Sequence, residues 1–170
     1  MSLVLTTFEK KPMMTFENFC NLYANSIILL EGKRNVKPED QAKLIAIGKL
    51  LATHLPKATF RSGNADGSDY YFSQGVAQVN PKQLEVITPY QNHRNRYNVA
   101  GTTHALDTIN LVNEPEIVYH SKNHKATKSL IDKYVAGNKD KYAIKAAYIL
   151  RDTIKVLGTN AGIPPITTDL

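Results

Sequence analysis

Helical and strand-like hydrophobic periods alternate along this chain. Phe16, Phe19, Cys20 and Tyr23 recur on one helical face, with Thr15 where an N-cap belongs, predicting a short helix through Asn25. Ser26 to Glu31 is a brief apolar run that reads as a buried strand. Pro38 suits a first helical position, Glu39 and Asp40 fall in the first turn, and Leu44, Ile47, Leu51 and Leu55 follow at helical spacing until Pro56 stops the helix. Ala58 to Arg61 predicts a second strand, Asp66 to Val79 a second long helix, and Leu84 to Thr88 a third strand ending at Pro89. That order is a parallel α/β unit, whose right-handed crossovers bring the turns after the first two strands to one carboxyl edge. Residues 90–140 are patterned less clearly. Leu106, Ile109 and Val112 recur at helical spacing over Thr103 to Val112, and Leu130, Ile131 and Tyr134 over Lys125 to Val135, so helices or ordered loops packing over the sheet are expected there. Gly137-Asn138 marks a turn, after which Ala146, Ile149, Leu150, Ile154 and Leu157 predict an amphipathic helix from Tyr142, ended by Gly158.

A chain of 170 residues fits one domain, 1–170, with residues 1–25 as an N-terminal helical extension. Its 42% hydrophobic and 21% charged content excludes disordered and fibrous classes. The longest apolar runs fall well short of the roughly 20 residues that span a bilayer. The first residues lack a basic stretch before an apolar core, so a cytoplasmic protein with no membrane partner is expected. Cys20 alone makes no intrachain disulfide, and its aromatic helical face suits a small buried hydrophobe. Lysine and arginine exceed acids by 21 to 15, which favours anionic partners. The basic residues are scattered, however, and aromatic and basic residues interleave only over Tyr90 to Tyr97, too short a stretch for a nucleic-acid platform.

The densest chemical signal lies between the second strand and the second helix, in Ser62-Gly63-Asn64-Ala65-Asp66-Gly67-Ser68-Asp69. Gly63 and Gly67 permit positive φ or close backbone approach, and small neighbours leave amides free to face an anion at the positive end of a helix. A phosphate cradle and a tight structural turn are equally compatible with this spacing. Ser62 and Ser68 offer hydroxyls, while Asp66 suits a helix cap and Asp69 suits locking the loop by accepting amide hydrogens. Arg34 and Arg61 follow strand ends, where a guanidinium grips phosphate or is simply solvated.

Extended through Phe72, Gly75, Val76 and Ala77, this motif resembles the Rossmann-like superfamily that unites the DNA-processing protein A with the Lonely Guy (lysine-decarboxylase-like) phosphoribohydrolases. Ile27 to Arg34 resembles that family's first strand and Gly-x-Arg turn, and Leu150-Arg151-Asp152 with Leu157-Gly158 resembles its Arg-Asn helix. The resemblance implies a three-layer Rossmann-like α/β domain with a mainly parallel sheet flanked by helices. It implies a nucleotide or sugar phosphate at the carboxyl edge, held by Gly32, Arg34, Arg61, Ser62, Gly63, Asn64, Ala65, Gly67, Ser68, Asp69 and Arg151. No cofactor and no metal are implied. Pairing of relatives through their helices makes a homodimer the expected assembly.

The Lonely Guy motif Pro-Gly-Gly-x-Gly-Thr-x-x-Glu is absent, and Ala100-Gly101-Thr102-Thr103 approximates it without the paired glycines or the glutamate. No catalytic residue is therefore assigned. Cleavage of an N-glycosidic bond is the runner-up function, with Asp69 or Glu31 as its nearest carboxylates. The DNA-processing relative makes a single-stranded DNA module the further alternative. Relatives continue into another strand where Ile163-Pro164-Pro165-Ile166 stands here, so a shortened carboxyl end or a terminal edge strand is expected. His120 and His124 are four apart but lack a third ligand at recognisable spacing, and no Gly-x-Ser-x-Gly occurs.

Overall fold

The computed structural model describes residues 14–138 and 140–166. Residues 1–13 of the expected helical extension and 167–170 of the closing segment lie outside the described residues. Strands β1 (Ile27–Leu29), β2 (Thr59–Ser62), β3 (Leu84–Thr88) and β4 (Thr102–Ala105) pair in parallel in the order β1-β2-β3-β4. Ile28 stands opposite Phe60, Phe60 opposite Leu84, and Val86 opposite Thr103. Helices α1 (Phe16–Leu22), α2 (Pro38–His54), α3 (Ser68–Val79), α4 (Pro115–Ser121), α5 (Lys125–Val135) and α6 (Ala143–Leu157) complete the domain. This is a Rossmann-like α/β fold, as the alternation of periods predicted.

Strand side chains alternate between faces, and each face has its own core. Phe60, Leu84 and Val86 pack with Ala52, Leu55 and Val76 of the α2–α3 side. Ile87, on the opposite face, packs with Ile117, Ile131, Leu150 and Ile154 beneath α4, α5 and α6. The α2–α3 layer is unusually close: a Cβ at Gly48 would lie 2.3 Å from the Phe72 carbonyl oxygen, and one at Gly75 2.1 Å from that of Ile45. Gly75 of the extended motif is thus a helix-packing residue, placed where only hydrogen fits. Thr15 caps α1 through its hydroxyl, which accepts from the Asn18 amide at 3.1 Å.

Of the two stretches expected as helices or ordered loops, Lys125–Val135 is a helix and 103–112 is not. Thr103 to Val112 forms β4 and then two single 3-10 turns, Leu106–Thr108 and Leu111–Asn113. The free edge of β3 takes up the β-branched Thr102 and Thr103, and Leu106 turns into the core while Val112 stays 78% exposed. Local side-chain bonds also compete with helix here: Thr108 donates to the Ala105 carbonyl at 2.7 Å, and Asn110 accepts from the Val112 amide at 3.2 Å. Helix α4, which the periodicity did not single out, starts with Pro115 in its first turn and buries Ile117. Residues 163–166 form no strand; the Ile166 amide donates to the Val156 carbonyl at 2.9 Å, tying the segment to α6. No helix among the described residues is long and apolar enough to cross a membrane.

Candidate functional site

The β2–α3 loop is organised around one carboxylate. Asp69, in the first turn of α3 and 5% exposed, accepts from the Gly63 amide at 3.2 Å and also from the Ala65 amide. Ser62 directs its hydroxyl at the same carboxylate at 3.5 Å and receives the Asn64 amide at 3.4 Å. Burial pushes the Asp69 carboxyl above its ordinary value, and the two amide donors pull it back. Ser68 commits both its amide and its hydroxyl to the Lys33 carbonyl, at 2.9 and 3.2 Å. Much of the loop's donor capacity is therefore spent holding the loop's own shape. Asp66 caps nothing: Gly67 occupies the N-cap of α3, and Asp66 forms an ion pair with Arg94 instead.

Gly67 explains how the two glycine turns meet. Its φ of +82° suits glycine, and a Cβ there would lie 2.2 Å from the Arg34 carbonyl oxygen and 2.3 Å from that of Lys33. A Cβ at Gly32 would likewise sit 2.6 Å from the Ser68 hydroxyl. The β1–α2 turn, bearing Arg34, is thereby seated directly on the β2–α3 loop.

The β3–β4 connection, residues 89–101, contains no α-helix, and it folds over the same edge. Asn92 and Arg94 adopt left-handed φ of 59° and 51°, and Asn64, at 53°, reaches across to donate its side-chain amide to the His93 carbonyl at 3.3 Å. Three non-glycine residues in this sparsely populated region mark a backbone held by its surroundings. Helix α6 closes the other side. Arg151, 5% exposed, donates Nη1 to the Gly63 carbonyl at 2.5 Å and Nη2 to Asp152 at 2.8 Å.

These segments enclose a pocket of about 420 Å³ lined by Arg34, Ala65, His93, Arg94, Lys145, Tyr148 and Arg151. Four cations face it, and the carboxylates of Asp66 on Arg94 and Asp152 on Arg151 offset only two of them. Arg34 and Lys145 are exposed and form no salt bridge among the described residues. The hydrogen bond from Arg94 holds the Asp66 carboxyl below its ordinary value and raises Arg94 in turn. Burial, then the charges of Arg94 and Arg151, push His93 down, so its imidazole is mainly neutral at pH 7. His93 meets Tyr90 edge-on at 4.8 Å and Tyr148 at 5.7 Å, forming an aromatic wall. Burial, then its hydrogen bond with Tyr90, raises the Tyr148 hydroxyl. Such a pocket can hold an anion by charge.

Of the residues singled out in the sequence, Arg34, Ala65 and Arg151 line this pocket, while Gly32, Ser62, Gly63, Asn64, Gly67, Ser68 and Asp69 build the turns beneath it. Arg61 is not brought to it. Strand alternation sends Arg61 to the α6 face, fully buried, where Nε donates to Glu85 at 2.6 Å and Nη1 to the Lys155 carbonyl at 2.9 Å. Glu85 turns its other oxygen to His104 Nε2 at 3.0 Å, and Arg61 Nη2 finds no partner among the described residues. Glu31 is likewise engaged elsewhere, paired with the buried Lys155. His93, Arg94, Lys145 and Tyr148 were missed. Their signals were the aromatic–basic interleaving of Tyr90 to Tyr97 and the three-residue spacing of Lys145, Tyr148 and Arg151 on one helix. Among the described residues no three metal-ligating side chains cluster. No family model, curated protein or solved structure matches the chain.

Proposed function

We propose that this domain binds a nucleotide or nucleotide-derived phosphate at the carboxyl edge of its sheet, as a member of the Rossmann-like superfamily of the DNA-processing protein A and Lonely Guy proteins. The observation that carries the reading is the convergence of Arg34, Arg94, Lys145 and Arg151, from three separate chain segments, on one pocket beside the start of α3. Mutually repelling cations gathered in one recess are favoured when an anion occupies it. Arg34 and Lys145 supply uncommitted charge, whereas Arg94 and Arg151 are held in place by Asp66, Asp152 and the Gly63 carbonyl. Asp69 and Glu31, the carboxylates that N-glycosidic cleavage would use, are taken up by the loop amides and by Lys155, so no catalytic role is assigned to them.

The test is thermal unfolding of the chain with nucleoside mono-, di- and triphosphates, nucleotide sugars and inorganic pyrophosphate. A ligand at 100 times its dissociation constant adds about 2.7 kcal/mol to stability. The double variant Arg34→Glu, Lys145→Glu alters two exposed side chains and is expected to melt with the wild type when unliganded, yet to show no ligand shift. An equal shift in the variant, or none in the wild type with any anion, refutes the reading.

A further inference from the structure

A second cleft, of about 490 Å³, adjoins the cationic pocket. The Asp66–Arg94 bridge has one partner in each: Arg94 lines the pocket and Asp66 the cleft, while Arg34 lines both. The cleft is aromatic where the pocket is charged. Tyr70 and Tyr71, partly buried in the first turn of α3, line it together with Tyr97 of the β3–β4 connection. Tyr70 stands against Tyr71 at 5.2 Å and 72°, and against Tyr97 at 6.1 Å and 90°. These edge-to-face contacts fix a corner of rings, in which Tyr97 remains 52% exposed with the Arg96 guanidinium 6.0 Å from its centre. Three tyrosines held together at a solvent-facing cleft offer flat surface to a planar ligand. The Asp66 carboxylate, kept ionised by Arg94, repels phosphate from this side and can accept hydrogen bonds from hydroxyl or amino groups.

The geometry points to a nucleotide lying across the bridge, its base on the tyrosine corner and its phosphates among Arg34, Lys145 and Arg151. This rests on the anion-binding reading above and narrows it from nucleotides and nucleotide-derived phosphates to those that keep the heteroaromatic ring, with the ring's seat assigned to the tyrosine corner. A sugar phosphate or inorganic polyphosphate fills the pocket but has no ring to place on Tyr70 and Tyr97. Ring stacking accepts any base, so the tyrosines demand a base, and any choice among the four falls to other groups of the cleft.

Calorimetric titration of the full chain with ADP, GDP, CDP, UDP and pyrophosphate, repeated on Tyr97→Ala and Tyr97→Phe, tests this. At least one nucleoside diphosphate is expected to bind about tenfold or more tightly than pyrophosphate. Tyr97→Ala should weaken that diphosphate about fivefold or more and leave pyrophosphate unchanged, whereas Tyr97→Phe, which keeps the ring, should bind like the wild type. Pyrophosphate binding as tightly as every diphosphate, with Tyr97→Ala silent, overturns the tyrosine site and leaves the anion pocket standing. Absence of binding by all five overturns both. A short single-stranded oligonucleotide binding where no diphosphate does would also overturn it, in favour of a nucleic-acid surface.

Discussion

Asp69 shows how one side chain determines what a glycine-rich turn can do. Its carboxylate takes amide hydrogens that an external phosphate would otherwise receive, so the loop is rigid before any ligand arrives. Replacement by alanine leaves the buried Gly63 amide and the half-buried Ala65 amide without that acceptor; a buried donor so stranded costs about 1–3 kcal/mol and a half-buried one less. Asp69→Ala is therefore expected to lower unfolding free energy in urea by about 2–4 kcal/mol. A loss under about 0.5 kcal/mol, the range of an ordinary surface change, would contradict this account of the loop. Gly67, by contrast, is a poor probe of ligand binding. Any Cβ there strikes the Arg34 and Lys33 carbonyls, so a substitution displaces the β1–α2 turn as well as the loop.

At the scale of elements, β2, β3 and α6 are joined by a buried charge line. Arg61 spans from Glu85 on the neighbouring strand to the Lys155 carbonyl on the helix, and Glu85 continues to His104 on β4. Breaking a buried ion pair from one side strands the other charge, at about 3–5 kcal/mol. Glu85→Ala should cost about that much in equilibrium unfolding, and Arg61→Leu, Glu85→Leu together should recover much of it. A double variant no more stable than Glu85→Ala would show that the line does more than satisfy its own charges.

This line also explains what was legible in the sequence. The first three strands and helices α2, α3 and α6 each carry one clear period over their length, and their boundaries fell within a few residues of the pattern. Strand β4 was hidden because its threonines lie exposed on a sheet edge, with no apolar alternation to betray them. Arg61 was placed at the wrong end of its own geometry: a strand's one-residue parity decides which face a side chain takes, and Phe60 at the α2–α3 core sends Arg61 beneath α6. The turns were legible because glycine is; the inward use of their amides was not, since it depends on where the Asp69 carboxylate points.

For the molecule as a whole, the sequential strand order puts both α2 and α3 on one face, as successive right-handed crossovers in one direction require, and leaves the other face to α4, α5 and α6. The last of these carries Lys155, which burial brings down to about 8 despite pairing with Glu31 and Asp152. Its ordinary value is 10.5, so between about pH 8 and that value the unfolded chain holds the additional proton and folding gains stability as pH rises. Below about pH 8 the full cost of burying the charge is present. Lys155→Met should accordingly show its greatest advantage over the wild type near pH 7, and the gap in urea midpoint should narrow towards about pH 10. A gap independent of pH would refute the assignment.

Arg151 holds the Gly63 carbonyl from 88 residues away, and Arg61 holds the Lys155 carbonyl across 94. Helix grips loop and strand grips helix. Contacts this distant in sequence close late, because the chain between them must first be ordered. The turn that dominates the sequence is thus synthesised early but acquires its pocket only when α6 docks, so that during folding the cationic pocket is among the last parts of the domain to form.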